Sequence, residues 1–250
     1  MLNDIKMDLH VHTIASGHAY STINEIIEEA DKKGIEAIAI AEHGPNMPDS
    51  PHPFYFGNIY SIPREINGVK VFKGVEANII NKEGNLDLGK EYLNNLEFVA
   101  AGLHPYTGYE GEKIEENTEA VTNAIKKNEI DMIVHPCDSR FPINVKKLVK
   151  AASENNVILE LNNRSFIPTV DGNYRGIREN AIKMAELAKN KDVWVAVNSD
   201  THHSSEVGEL ENSLKVAKEA ELNKENIINT ELSNLKKFLR EKDRNLRQKF

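Results

Sequence analysis

A single cysteine, Cys137, in a chain of 250 residues excludes an intrachain disulfide and any thiolate cluster of the kind that holds structural zinc. A metal ion in this protein must therefore be held by imidazole and carboxylate. Basic residues are also in short supply: 31 Lys and Arg against 39 Asp and Glu leave a formal charge of −8. That balance disfavours tracking the phosphates of long nucleic acid, which needs a surplus of positive charge along a groove. A small anionic ligand stays open, provided positive charge is concentrated locally. No uncharged apolar run is long enough to span a bilayer, and the N-terminus lacks a basic segment followed by an apolar stretch. The expectation is a soluble, cytoplasmic protein without a membrane partner; nothing in the sequence speaks to its oligomeric state.

What is present is an alternation. With 40% hydrophobic residues the chain can bury one large core, so residues 1–250 read as a single domain. Short apolar runs at 5–11, 35–41, 69–75, 98–103, 132–134, 157–161 and 193–197 alternate with helical patterns at 23–33, 114–127, 145–155 and 177–189. Residues 83–93 are less regular, fitting a turn and a short helix. Continuous apolar strands between amphipathic helices are what a parallel sheet covered by helices requires. A polar residue ends each run: His12, His43, Glu76, His104, His135, Asn162 and Asp200, separated by 31, 33, 28, 31, 27 and 38 positions. One strand-plus-helix unit is about that long. A closed α/β barrel of seven units explains the repeat better than an open sheet, because polar ends of the first and last strands can then meet. Residues 45–53, with four prolines and His52, form a rigid loop placed to cover the barrel mouth. Residues 232–250 read as a charged, solvated C-terminal helix.

Seven of the nine histidines fall at or just past strand ends, together with Glu76 and Asp200. In Asp8-Leu9-His10-Val11-His12-Thr13 a period of two puts Asp8, His10 and His12 on one strand face. His202 repeats that spacing after Asp200. The set is His10, His12, His18, His43, Glu76, His104, His135, Asp200 and His202. Nine donors exceed the needs of one zinc and suit two or three cations. Three divalent ions against two carboxylates leave roughly +4 in a buried pocket, which attracts a compact polyanion.

These motifs, with Ala41-Glu42-His43, Gly74-Val75-Glu76, Val134-His135-Pro136, Glu160-Leu161-Asn162-Asn163 and Ser199-Asp200-Thr201-His202, fall in the order of the polymerase and histidinol phosphatase (PHP) family. The chain resembles that family over nearly its whole length, and within it the YcdX-type phosphatases. The resemblance implies a distorted (β/α)7 barrel with three divalent ions, zinc in the first place and manganese or iron as alternatives. It implies one ion at His10, His12, Glu76 and Asp200, a second at His18, His43 and His202, and a third at Glu76, His104 and His135, with Glu76 bridging. The implied activity is hydrolysis of a small phosphorylated metabolite, a phosphate monoester, by metal-bound hydroxide. Arg140 and Arg164 are candidates for contacting the phosphate. Asp8 is a candidate for orienting a ligand imidazole. His52 and His203 are not assigned as ligands. The competing readings are a nuclease or phosphodiesterase acting on nucleotide ends, and a metal-binding module without catalysis.

Overall fold

The computed structural model describes residues 4–242. Within them seven strands run parallel: β1 (Met7–Val11), β2 (Ala37–Ile40), β4 (Val69–Asn78), β5 (Phe98–Gly102), β6 (Met132–Ile133), β7 (Ile158–Asn162) and β8 (Val195–Asn198), in that spatial order. A two-residue strand, β3 (Glu65–Ile66), pairs antiparallel with the start of β4 and lies outside the repeat. The expected single-domain α/β barrel of seven units is the observed architecture.

The helices follow the sequence signals closely. Helix α1 (Ile23–Lys32) opens with a capping box, Thr22 receiving the Glu25 N–H while the Glu25 carboxylate accepts the Thr22 N–H at 2.7 Å. Its Ile26, Ile27 and Ala30 are buried against β2, and Gly34 leaves the helix at φ +73. A short helix, α2 (Pro53–Asn58), takes up the end of the proline-rich loop, with Pro53 in its first turn and His52 as its N-cap. The irregular stretch at 83–93 contains one helical turn, α3 (Lys90–Leu93). Helices α4 (Ile114–Lys127), α5 (Val145–Asn155), α6 (Arg178–Lys189) and α7 (Glu211–Glu219) cover the outside of β4 to β8.

Alternate strand residues separate into two sets. Met7 and Leu9, Ala37 and Ala39, Phe72, Phe98 and Ala100, Met132 and Val134, Ile158 and Ala196 form one cluster, which only the barrel interior can bring together. The last helix, α8 (Leu232–Glu241), adds Leu235, Phe238 and Leu239 to that cluster. It therefore plugs the barrel at the N-terminal ends of the strands instead of lying in solvent, each buried side chain contributing about 2 kcal/mol. The expected helix continued to 250, and residues 243–250 lie outside the described part.

Closure between first and last strands uses little ladder. The His12 N–H donates to the Thr201 carbonyl at 3.0 Å and the Thr201 N–H to the His10 carbonyl at 3.3 Å. Below them two buried amide side chains span the seam. Asn198 Oδ1 accepts the Leu9 N–H at 2.9 Å; Asn229 Nδ2 donates to the carbonyls of Met7 and Val197 while its Oδ1 accepts the Val197 N–H.

Candidate metal centre

Most polar residues of the barrel mouth extend the inward-facing columns of the strands. Two residues beyond Phe72 is Gly74 and two beyond that Glu76; the same steps lead from Phe98 through Ala100 and Gly102 to His104, from Ile158 to Glu160, and from Ala196 through Asn198 to Asp200. Gly102 is small for a reason: a Cβ there would lie 2.9 Å from the His135 ring and 3.3 Å from that of His104. Two members reach the mouth by breaking the extended backbone. His135 and Asp200 have φ of +30 and +59, a costly conformation for non-glycine residues that collects at functional sites.

Strand β1 breaks the rule differently. Its register against β2 slips between Asp8 and Val11, so Met7 and Leu9 face the interior while Val11 joins the outer layer under α1. The bulge turns His10 and His12 inward and leaves Asp8 elsewhere. The Asp8 carboxylate accepts backbone N–H groups of Ser199, Gly208 and His10 and touches no imidazole, so its sequence-based role as an orienting group is corrected: it ties β1 to the loop after β8.

Glu76, fully buried, lies at the centre. Its Oε1 is 2.9 Å from His104 Nε2, 2.8 Å from His135 Nε2 and 3.4 Å from His10 Nε2; its Oε2 is 2.6 Å from His43 Nδ1 and 3.5 Å from His12 Nε2. Asp200 Oδ1 lies 3.4 Å from His12 Nε2 and 3.3 Å from His202 Nδ1. His18 reaches the cluster through His43, with their Nε2 atoms 3.2 Å apart. All nine sequence-predicted donors thus converge at one mouth.

Other residues fix how the imidazoles present their nitrogens. His10 Nδ1 lies 2.8 Å from Glu160 Oε1, and His12 Nδ1 lies 3.2 Å from Ser16 Oγ, whose own hydrogen goes to Glu42 Oε2 at 2.6 Å. Protons on those Nδ1 atoms leave both Nε2 lone pairs aimed into the cluster. Glu160 and Glu42 sit in motifs visible in the sequence, but the sequence reading assigned them no role. For Glu160 the signal was there: it shares its strand face with Asn162, two residues on. The Glu160 carboxylate also accepts the His135 N–H, Asn162 Nδ2 and Asn198 Nδ2, so all four of its neighbours donate. Glu160→Gln must turn an amide N–H toward one of these donors. Metal affinity measured by competition with a chelator should fall about 10- to 100-fold; unchanged affinity would show that His10 needs no such partner.

Most of the charge states suit cation binding. Burial pushes the Glu76 carboxyl up, but the imidazoles of His104, His43 and His10 outweigh it and hold it well below the usual carboxylate range. Asp200 is likewise held down against its burial by His10, His12 and His202. Burial drives His12 well below the ordinary imidazole value, aided by His43 and His202. It brings His18 and His104 down to about 4. Burial lowers His10 and His135 too, but Glu160, Asp200 and Glu76 outweigh it at His10, and Glu76, Glu160 and Asp200 at His135, so a cation held there would displace a proton.

The arrangement fits divalent ions on its own terms. Three overlapping groups of buried donors each fall within 4.8 Å: His10, His12 and Glu76; His12, His43 and His202; His43, Glu76 and His104. His43 Nδ1 and Glu76 Oε2 are close but not aligned as a hydrogen bond, and both, with His104 Nδ1, are buried without a hydrogen-bond partner. Native proteins rarely leave such atoms unsatisfied, and cations shared between the groups would satisfy those of His43 and Glu76. Compared with the division the resemblance implies, His12 and His43 each lie in two groups.

Above the cluster opens a cleft of about 670 Å³. Met47, Pro48 and Asp49 of the proline-rich loop line it; His52, capping α2, does not. His203 is exposed and caps the turn after β8. Arg140 and Arg164 both line the cleft, each paired with a carboxylate, Asp138 and Glu206 respectively. Arg175 lines it as well and was not singled out from the sequence.

Residues 8–200 match the model of the PHP domain. A probable phosphatase from Thermoanaerobacter sp. (strain X514) is 43% identical over 240 residues, 96% of either chain. One from Acetivibrio thermocellus is 41% identical over 243 residues, 97% of this chain and 98% of its own. Among solved structures, a histidinol phosphate phosphatase from Lactococcus lactis subsp. lactis Il1403, complexed with zinc, L-histidinol and phosphate, is similar at a TM-score of 0.63, covering 88% of this chain and 95% of its own. Its sequence identity is 18%, so that likeness is one of fold.

Proposed function

The chain belongs to the PHP domain family, and on that premise we propose that it is a metal-dependent phosphatase hydrolysing small phosphate monoesters at a centre of three divalent ions. The observation that carries this reading is Glu76, whose two oxygens touch five imidazoles drawn from four strand ends. Zinc suits this imidazole-rich donor set best, with manganese or iron as alternatives. His10, His12, Glu76 and Asp200 would hold one ion, His18, His43 and His202 another, and Glu76, His104 and His135 the third. Ions bound there supply Lewis acidity, acidifying water to a nucleophile and neutralising the phosphoryl oxygens.

The chain's own groups do the rest. Glu76 and Asp200 bring the only two negative charges among the nine donors, and even with the Glu160 carboxylate behind His10 the total stays small against three divalent ions, so the site favours a phosphate dianion although the protein is acidic. Glu160 and Ser16 keep the Nε2 lone pairs of His10 and His12 pointed inward. Arg140 and Arg164 offer guanidinium N–H groups to phosphate oxygens from forks steadied by Asp138 and Glu206. A cleft of this size accommodates a metabolite of modest dimensions.

The test is elemental analysis of the purified protein paired with a panel of small phosphomonoesters. About three divalent ions per chain and turnover that disappears on chelation are expected. Metal-replete protein that hydrolyses no member of the panel would overturn the phosphatase reading.

A further inference from the structure

The three arginines of the cleft differ in what their charge is committed to. Arg140 Nε donates to Asp138 at 3.0 Å, with Nη2 on the same carboxylate, and Arg164 Nη1 donates to Glu206 at 3.1 Å. Arg175 lines the same cleft, is exposed, and its side chain has no hydrogen-bond or ion-pair partner among the described residues. Its backbone is nevertheless fixed. The Arg175 carbonyl accepts the Ser139 N–H at 2.6 Å, the Gly176 N–H donates to the Ser165 carbonyl at 2.8 Å, and the Ile177 N–H to that of Cys137 at 3.0 Å. The backbone that carries this uncommitted guanidinium is thereby anchored to the loops that follow β6 and β7.

The mouth has a counterpart of opposite sign. Asp49, also exposed and without a side-chain partner among the described residues, packs beside Gly17 over the β1–β2 side. Asp138 and Glu206 are neutralised by their own arginines, so the free charges at the rim are positive over β6–β7 and negative over β1–β2. Tyr106, Ile167 and Val170 line the same cleft and offer exposed apolar surface. A phosphate drawn to the metal centre leaves the rest of its ester lying toward this rim, where Arg175 is the one of the three arginines whose charge is not already paired with a carboxylate among the described residues.

We propose that Arg175 selects phosphate monoesters whose alcohol portion carries a second anionic group, a carboxylate or another phosphate. The proposal rests on the phosphatase reading of the metal centre and adds the class of leaving group. A guanidinium fork matches either anion with paired N–H donors, and a cleft wall screens that contact less than bulk water does.

Two substrate pairs separate the sources: 3-phosphoglycerate against glycerol 3-phosphate for the carboxylate, and fructose 1,6-bisphosphate against fructose 1-phosphate for the second phosphate. Wild-type protein should favour the first member of at least one pair in kcat/KM. Arg175→Gln should collapse that ratio about tenfold through KM, and Arg175→Lys should restore part of it. A wild type without preference in either pair overturns the proposal, as does an Arg175→Gln variant that keeps the ratio. Should the wild type hydrolyse nothing, the phosphatase reading fails separately, and calorimetric titration with 3-phosphonopropionate and propylphosphonate decides the role of Arg175. Arg175→Gln must then weaken binding of the first ligand selectively; equal affinities of the wild type for both ligands would end the idea.

Discussion

Glu76→Gln is expected to lower phosphomonoester turnover by about 10³-fold or more and to reduce the number of ions the protein retains. The substitution preserves volume and shape, so the buried site keeps its packing. What changes is electrostatic. One of the two carboxylate charges among the nine donors disappears, and an amide N–H replaces an oxygen that stands within 3.5 Å of two or three imidazole nitrogens, whichever oxygen is replaced. Because both oxygens are shared among five histidines, the loss reaches every donor group that Glu76 joins. Elemental analysis, steady-state kinetics and a far-UV circular dichroism spectrum on the same sample separate this from unfolding. A folded variant with full metal content and wild-type turnover would remove Glu76 from the centre of the reading.

The second large effect concerns stability and lies away from the chemistry. Asn229→Ala removes the side chain that donates to the Met7 and Val197 carbonyls, at 2.9 and 2.6 Å, and accepts the Val197 N–H at 3.1 Å. Asn229 is fully buried, so water does not replace those bonds. Three backbone groups left unpaired cost roughly 1–3 kcal/mol each before relaxation, and a net loss of about 4 kcal/mol is expected. For a domain of this size that is a drop in Tm of about 10 °C. Calorimetry of the metal-free protein is the cleanest measurement, since bound ions add stability of their own. A shift under about 2 °C would mean that the bridge from Val11 to Thr201 and Asn198 close the seam unaided.

Much of the site was legible because barrel strands present their donors periodically. Glu76, His104 and Asp200 end columns of inward-facing residues that begin with Phe72, Phe98 and Ala196, and a period of two carries the reading from core to mouth. His10 and His12 reach the same place by another route. The strict period would have put Asp8 beside them, and the bulge that turns them inward also sends Asp8 to the loop after β8. A bulge is a property of how two strands pair, and β1 alone does not announce it. Helix α8 was misjudged for a similar reason: its charged residues suggested solvent, while Leu235, Phe238 and Leu239 had no visible partner until the barrel floor was assembled.

The sequence by itself determined the donor types, nine of them in imidazole and carboxylate chemistry, and their recurrence at intervals close to one strand-plus-helix unit. Local patterning suffices there, since each donor is placed by its own strand. Only the tertiary structure decided the partnerships: Glu160 beneath His10, Ser16 and Glu42 behind His12, Asn229 across the seam, and Arg175 left uncommitted while Arg140 and Arg164 are paired. Most of these contacts join residues far apart in the chain, 150 positions for His10 and Glu160 and 222 for Asn229 and Met7. A hydrogen bond or ion pair across such distances depends on which chain ends the closed barrel brings together, and no periodicity along the chain encodes that.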